Sequence, residues 1–290
     1  MSGVIRIATR GSQQATTQAQ HLAMQIEAQG HRCELVIVDT TGDRSQSANV
    51  PLHSIGGLGV FTKEVQHAVL DGRADIAAHS AKDLPTERPV DLEIGAVLAR
   101  RNPADALIGR TFDDLGVGAI VATGSVRRRA QLREHRSDLV FEELRGNIGS
   151  RLEKIPNNGA IVMAIAALEI LDLTDRVAER LDPRIFVPAV GQGAVAAECR
   201  IDDLTTLSIL RKVSDITTYD NVSIERAYLA ELGSGCSAPV GAFAADGRLT
   251  VFLGGDSGNY RATYDLTGVR DADLALAAQA ARTARREIGV

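Results

Sequence analysis

A chain of 290 residues, 44% hydrophobic and 24% charged, holds enough apolar material for two or three globular domains. No apolar run reaches the about 18 residues of a membrane span. A net charge of −5, with six Phe, four Tyr and no Trp, argues against wholesale nucleic-acid binding and leaves few platforms for stacking bases.

Val4–Ala8 alternates as a strand. Ser12 then caps a helix pattern with apolar residues at Ala15, Ala19, Leu22, Ala23 and Ile26, which stops at Gly30. Glu34–Val38 reads as the next strand. Residues 39–60 have no period and carry Gly42, Gly56, Gly57 and Gly59. A loop of that length inside a compact domain is functional or disordered. Phe61–Leu70 is predicted helical, and Asp75–Ala78 and Leu92–Leu98 are predicted strands. Further strands follow at 118–122, 139–144 and 160–164, with helices from about Ser125, Asn147 and Ala166. Alternating strands and helices predict an α/β fold with mostly parallel sheets covered on both faces. Arg101-Asn102-Pro103 and Pro183–Pro188 break the pattern and read as crossings between domains. Beyond about residue 215 the style changes. A helix at Val222–Leu232 leads into Gly233-Ser234-Gly235-Cys236, then strands near 239–244, 249–254 and 260–266 and a last helix over 271–287. With turn signals such as Asp246-Gly247, this predicts a smaller C-terminal α+β domain.

Three cysteines, Cys33, Cys199 and Cys236, are too sparse for a disulfide framework. Met1–Arg10 lacks the charged-then-apolar block of a secretory signal, so a reducing, cytoplasmic setting is expected. Only four of the 32 basic residues are lysines, so an arginine signals function only through its position.

Parallel sheets take ligands at the carboxyl ends of their strands. Four predicted strand ends carry small or hydroxyl residues beside a cation. They are Thr9-Arg10-Gly11-Ser12, His79-Ser80-Ala81-Lys82-Asp83, Thr123-Gly124-Ser125-Val126-Arg127-Arg128-Arg129, and Arg145-Gly146 through Arg151. Small residues let backbone N–H groups face an anion, and guanidinium forks grip carboxylate or phosphate. A polyanionic ligand is implied. Taken singly, each arginine reads equally well as a solvated cap. Arg127–Arg129 open a helix, where a cation opposes the macrodipole, and that conflict favours function for the cluster. Asp83, beside Lys82 and before Pro85, can stabilise a cation and move protons, or else serve as a turn aspartate. The glycines before Cys236 suggest a presented thiol, a nucleophile or attachment point, against the alternative of a small core residue. Cys33 and Cys199 lie in strand-like runs and are expected in the core. Gly191–Ala196 mimics a G-x-G-x-x-A fingerprint but runs into a strand, which defeats its logic. The six histidines have no ligand spacing, so no metal site is expected.

Eight ordered motifs carry a resemblance. They are IRIATRGS (5–12), TTGD (40–43), FTKE (61–64), ADIAAHSAKDLPT (74–86), TGSVRRRAQL (123–132), LRGNIGSRL (144–152), VPAVGQGAVAAECR (187–200) and ERAYLAELGSGCSAPVGA (225–242). In these the chain resembles the porphobilinogen deaminase, or hydroxymethylbilane synthase, family from about Ile5 to Gly241; the last fifty residues match weakly. The resemblance implies two lobes like those of a periplasmic binding protein, with the active cleft between them, and a third domain bearing a cysteine loop. It places domain 1 at 1–98 and 193–214, domain 2 at 99–192 and domain 3 at 215–290. It also implies head-to-tail condensation of four porphobilinogen molecules with loss of ammonia, primed by a dipyrromethane cofactor on a thioether to Cys236. Asp83 and Lys82 would be catalytic. Ser12, Lys82, Asp83, Thr123, Ser125, Arg127, Arg128, Arg145 and Gly146 would hold the cofactor. Arg10, Ser80, Arg145, Arg151 and Gln192 would hold substrate, and 42–60 would be a lid. The implied partner is porphobilinogen alone, with no nucleic acid or membrane, for a cytoplasmic monomer.

The chain also departs from the family pattern. Ile170 stands where an arginine is expected, Gln14 replaces an apolar residue, and Leu58 stands where the lid usually has lysine. Leu232-Gly233-Ser234-Gly235-Cys236 lacks the usual acidic residue. A non-catalytic or impaired polycarboxylate-binding paralogue is therefore the alternative. A phosphate-ligand enzyme is a third reading, but it leaves Cys236 without a task.

Overall fold

The computed structural model describes residues 3–40, 62–87, 89–233, 238–256 and 258–289. The expected lid over 42–60 and Cys236 lie outside the described residues. In chain order the elements are β1 (Val4–Arg10), α1 (Gln13–Glu27), β2 (Arg32–Val38), α2 (Lys63–Leu70), β3 (Ile76–Ser80), β4 (Leu92–Val97), β5 (Asp105–Ile108) and β6 (Ile120–Ala122). There follow α3 (Val126–His135), β7 (Val140–Glu142), α4 (Ile148–Leu152), β8 (Ala160–Ala164), α5 (Ile165–Glu169), β9 (Glu179–Arg180), β10 (Val195–Arg200) and α6 (Leu204–Val213). The last are α7 (Ile216–Leu232), β11 (Val240–Ala245), β12 (Arg248–Gly255), β13 (Gly258–Asp265) and α8 (Arg270–Ile288). The chain divides into two compact units, Met1–Arg100 with Ala194–Tyr219, and Arg101–Gly193 with Asp220–Val290.

The first unit is built on one sheet of order β2-β1-β3-β10-β4. Alternation along β1 sends Ile5 and Ile7 to one face, against Ala19, Leu22 and Ile26 of α1 and Leu207 and Leu210 of α6. It sends Ala8 to the other face, against Val65, Ala68 and Val69 of α2. The sheet is thus covered on both sides, as the strand–helix alternation predicts. Helix α6 was not foreseen. Its signal is Asp203, whose carboxylate accepts from the Thr206 N–H at 3.0 Å, followed by buried Leu207, Leu210 and Val213 at helical spacing. Gly95 is small for this helix, because a Cβ there would lie 2.7 Å from Leu210 Cδ1.

The second unit contains a sheet of order β7-β6-β8-β5-β9 and an antiparallel sheet of order β11-β12-β13. The alanine stripe of α8 (Ala277, Ala280, Ala281, Ala284) packs with Tyr228 and Leu232 of α7 over the three-stranded sheet. This is the expected smaller α+β element. Its first helix starts earlier than predicted, at Ile216, where Asp215 accepts from the Thr218 N–H at 2.7 Å. Segment 187–192 joins the two sheets. The Val187 carbonyl accepts from Arg127 and Gln131 of α3, the Pro188 carbonyl accepts from Ala242, and the buried Glu225 carboxylate accepts from Gly191 and Ala244.

Both five-stranded sheets are parallel-rich, and each contains one reversed strand. β10 runs antiparallel to β3 and β4, and β5 runs antiparallel to β8 and β9. Each is the first strand after the chain passes from one unit to the other, with no crossover helix to turn it parallel. Reversal puts the start of each beside the carboxyl end of a parallel strand, with Val195 opposite Ser80 and Asp105 opposite Ala164.

Candidate functional site

In the first unit, β1 and β3 are parallel neighbours, so Arg10 and Ser12 follow one strand end while Ser80, Lys82 and Asp83 stand at the next. Ser12 caps α1, its Oγ accepting from the Ala15 N–H at 3.3 Å. The Ser80 hydroxyl donates to Gln18 Oε1 at 3.0 Å. Residues Ala81–Asp83 form a single 3-10 turn. Its ends are pinned: Ala81 and Leu84 are buried, and the Ala81 N–H donates to the Ala194 carbonyl at 3.0 Å. Lys82 and Asp83 remain half-buried between these anchors. Among the described residues the Asp83 carboxylate has no hydrogen-bond or ion-pair partner. Beneath the turn, the buried Glu198 accepts from Gln66 Nε2 at 2.8 Å, and His79 Nε2 lies 3.2 Å from the same oxygen.

In the second unit, β6 is parallel to both β7 and β8. Thr123, Ser125, Arg127 and Arg128 follow β6, and Arg145, Gly146 and Arg151 follow β7. Ser125 caps α3, its Oγ accepting from the Arg128 N–H at 3.4 Å, and Thr123 Oγ1 accepts from the Ser125 N–H at 3.2 Å. Arg145 lies 3.2 Å from Glu143 Oε1, and Arg151 Nε donates to the Gly146 carbonyl at 2.7 Å. Gly146 has φ +119, and a Cβ there would run into the Ser150 hydroxyl, so only glycine carries the chain through this turn.

Arg127, Arg128 and Gln192 converge on one carboxylate, Asp105. Arg127 gives one nitrogen to Asp105 Oδ2 at 2.8 Å and another to the Val187 carbonyl at 2.6 Å. Arg128 donates to Asp105 Oδ1 at 2.7 Å and to the Val162 carbonyl at 3.1 Å. Gln192 Nε2 donates to Asp105 Oδ1 at 2.8 Å and to the Pro103 carbonyl at 2.6 Å. Arg127 is thus turned inward, whereas the Arg128 side chain keeps 12% exposure, and its buried Nε lacks a partner among the described residues. Burial by itself would raise the Asp105 pKa. The charges of Arg127 and Arg128, with hydrogen bonds from Arg128 and Gln192, outweigh it and hold the carboxyl well below the usual carboxylate range. Burial also lowers the Arg127 pKa, against the pull of Asp105.

Sequence reasoning missed four buried carboxylates: Asp105, Glu198, Glu225 and Asp273. A signal existed for two of them. Asp105 opens an otherwise apolar run, and Glu198 interrupts Ala194–Cys199. Ile170, in the place expected for arginine, is half-buried at the end of α5.

The orphaned Arg128 Nε and the set of guanidinium, hydroxyl and backbone donors match the chemistry of a polycarboxylate such as a chain of acid-bearing pyrroles. Two of the three thiols are poor candidates for attachment. Burial is the main cause that pushes Cys199 up to about 12 and Cys33 up to about 11, so both are protonated at neutral pH. Native protein treated with a maleimide at neutral pH is therefore expected to stay unmodified at Cys33 and Cys199, and both should label once it is denatured. Rapid native labelling of either, read by peptide mass spectrometry, contradicts this.

Among the described residues no helix is long and apolar enough to cross a membrane, and no group of three His, Cys, Asp or Glu could hold a metal. Solved structures similar to this chain include the methionine-binding protein MetQ, at 13% identity over 78% of this chain and 94% of that one, with a TM-score of 0.47. A periplasmic substrate-binding protein of an ABC transporter from Coxiella burnetii is 13% identical over 77% and 96%, with a TM-score of 0.44. A YaeC-family lipoprotein from Enterococcus faecalis is 14% identical over 77% and 96%, with a TM-score of 0.42. The family model described as porphobilinogen deaminase, dipyromethane cofactor binding domain, matches residues 5–208, a stretch that includes both clusters of strand-end cations and Asp83. The chain belongs to the porphobilinogen deaminase family.

Proposed function

We propose that this chain is a hydroxymethylbilane synthase. It joins four porphobilinogen molecules head to tail, releases one ammonia at each step, and is primed by a dipyrromethane held through a thioether on Cys236. The observation that carries the reading is the Asp83 carboxylate, without a partner among the described residues and displayed on a pinned turn beside Lys82. When bound, the dipyrromethane supplies the pyrrole carbon to which the first substrate is joined. Ser12, Lys82, Asp83, Thr123, Ser125, Arg128, Arg145 and Gly146 are the residues that would hold it, and Arg127, turned onto Asp105 and the Val187 carbonyl, would support Arg128 from behind.

Each porphobilinogen carries an acetate and a propionate, so binding is a problem of carboxylates. Arg10, Arg145 and Arg151 supply cationic donors, and Ser80 and Gln192 supply neutral ones. At each step the carbon–nitrogen bond of the protonated aminomethyl group breaks, and its electron pair leaves with the nitrogen as ammonia. Positive charge then spreads over the substrate ring. Asp83 accepts a hydrogen bond from the pyrrole N–H and stabilises that charge, a charge-assisted bond of about 1.5–3 kcal/mol. The methylene carbon bonds to the free ring carbon of the partner pyrrole, and Asp83 takes up the proton that this carbon loses. Lys82 keeps the electrostatic balance beside it. In this reading the second compact unit divides into a lobe over 99–192 and an attachment domain over 215–290, residues 1–98 with 193–214 form the Asp83 lobe, and the enzyme works as a cytoplasmic monomer.

Ile170, in place of an expected arginine, favours a second reading, a polycarboxylate-binding paralogue without turnover. One experiment separates the two. Protein made in cells competent for porphobilinogen synthesis is weighed intact and then assayed for ammonia release. A mass excess of two linked pyrrole units, with ammonia released, is the expected result. A bare polypeptide that binds simple dicarboxylates and releases no ammonia overturns the proposal.

A further inference from the structure

We propose that Asp105 is a positioning residue for the reaction: it locks Arg127 inward and thereby aims Arg128 at a carboxylate of the pyrrole chain that grows from the primer. The inference rests on the reading of function above and extends it to a residue outside the strand-end motifs.

The first ground is placement. Asp105 reaches this edge of the sheet because β5 is reversed, which sets its first residue opposite Ala164, the last residue of parallel β8. In a parallel arrangement the same residue would start at the far edge. The second ground is charge. Arg127 and Arg128 stand in the first turn of α3, where the helix dipole disfavours cations and where each guanidinium repels the other. Asp105, whose side chain is 1% exposed, gives one oxygen to each guanidinium. It leaves the trio with one net positive charge, suited to a single carboxylate.

The third ground is the division of donors. Arg127 nitrogens reach Asp105 and the Val187 carbonyl, and its side chain is 5% exposed. Arg128 keeps more exposure and has a buried Nε without a partner among the described residues. Gln192 holds the same Asp105 oxygen that Arg128 uses, so the carboxylate cannot swing away from Arg128 without losing that bond. These bonds join residues 22, 23 and 87 positions away in the chain. The carboxylate itself is enclosed, so Asp105 acts through the arginines.

The test is the split between KM and kcat in Asp105→Asn. The proton transfers belong to Asp83, so kcat per folded, cofactor-loaded molecule should stay within about 3-fold of wild type, while KM for porphobilinogen should rise about 10- to 100-fold, because the acceptor pyrrole loses one charge-assisted contact and no longer completes the substrate's binding place. Folded fraction is read by thermal unfolding and cofactor loading by intact mass. A purely structural role would lower the folded fraction and leave KM unchanged, which overturns the proposal. In an Arg128→Gln background, Asp105→Asn should add nothing further to KM; an additive rise overturns it as well. If Asp105→Asn does not fold, Asp105→Glu decides. It keeps the charge and moves the carboxylate by one methylene, so a raised KM supports the assignment and a wild-type KM sinks it. Wild-type protein that releases no ammonia removes the reading of function itself, a result distinct from an active enzyme indifferent to Asp105.

Discussion

A Cys236→Ser protein is expected to have the mass of its bare polypeptide and to release no ammonia above background. The argument is one of elimination and chemistry. A thioether needs a sulfur that can reach the thiolate at neutral pH. Cys199 is fully buried in the core of the first unit with its pKa pushed up to about 12, and Cys33, half-buried against the same core, is pushed up to about 11. Cys236 remains, in the sequence Gly233-Ser234-Gly235-Cys236-Ser237-Ala238-Pro239. A serine hydroxyl is a far weaker nucleophile than a thiolate and does not replace it. Without a tethered primer no chain can grow, so turnover is abolished and not merely slowed. Intact-mass spectrometry of wild type and variant, from the same competent cells, checks both halves of this expectation. Two pyrrole units still attached to the variant would show that the primer hangs from another residue.

The second large effect is expected at Asp83. Asp83→Asn keeps the size and one acceptor oxygen of the side chain but removes the charge. On the pinned Ala81–Asp83 turn the amide should occupy the same position, so substrate binding should change little. Turnover should fall about 10²- to 10³-fold, the usual effect of removing a preorganised group that faces charge developing in the transition state. The variant should also carry a ladder of mass adducts, because condensation stalls with pyrroles attached. Single-turnover ammonia release and intact mass measured on the same sample report both. Wild-type turnover in Asp83→Asn would take this residue out of the mechanism.

Much of this was legible along the chain because the determining forces are local. The two-residue period of β1 and the helical spacing of Ala19, Leu22 and Ile26 report which side of an element meets apolar neighbours, whatever those neighbours are. Ser12 and Ser125 cap helices through contacts within three residues. The strand-end residues are recognisable because each small, hydroxyl or cationic group follows its strand directly. Other elements escaped notice for equally local reasons. β5 and β9 are too short, at four and two residues, to display a period. The apolar residues of α6 were passed over although Asp203 marks its start.

What the chain determined by itself is therefore the α/β class, the positions of the strand ends, and the supply of cations, hydroxyls and the Asp83 carboxylate at those ends. Only the tertiary structure decided how those groups are used. It reversed β5 and β10, brought Asp105 beneath Arg127 and Arg128, and buried Glu198 against His79 and Glu225 against the backbone of segment 187–192. The reason is physical. A strand's direction within a sheet, and the partner of a buried charge, depend on segments tens of residues away, and no local periodicity encodes them.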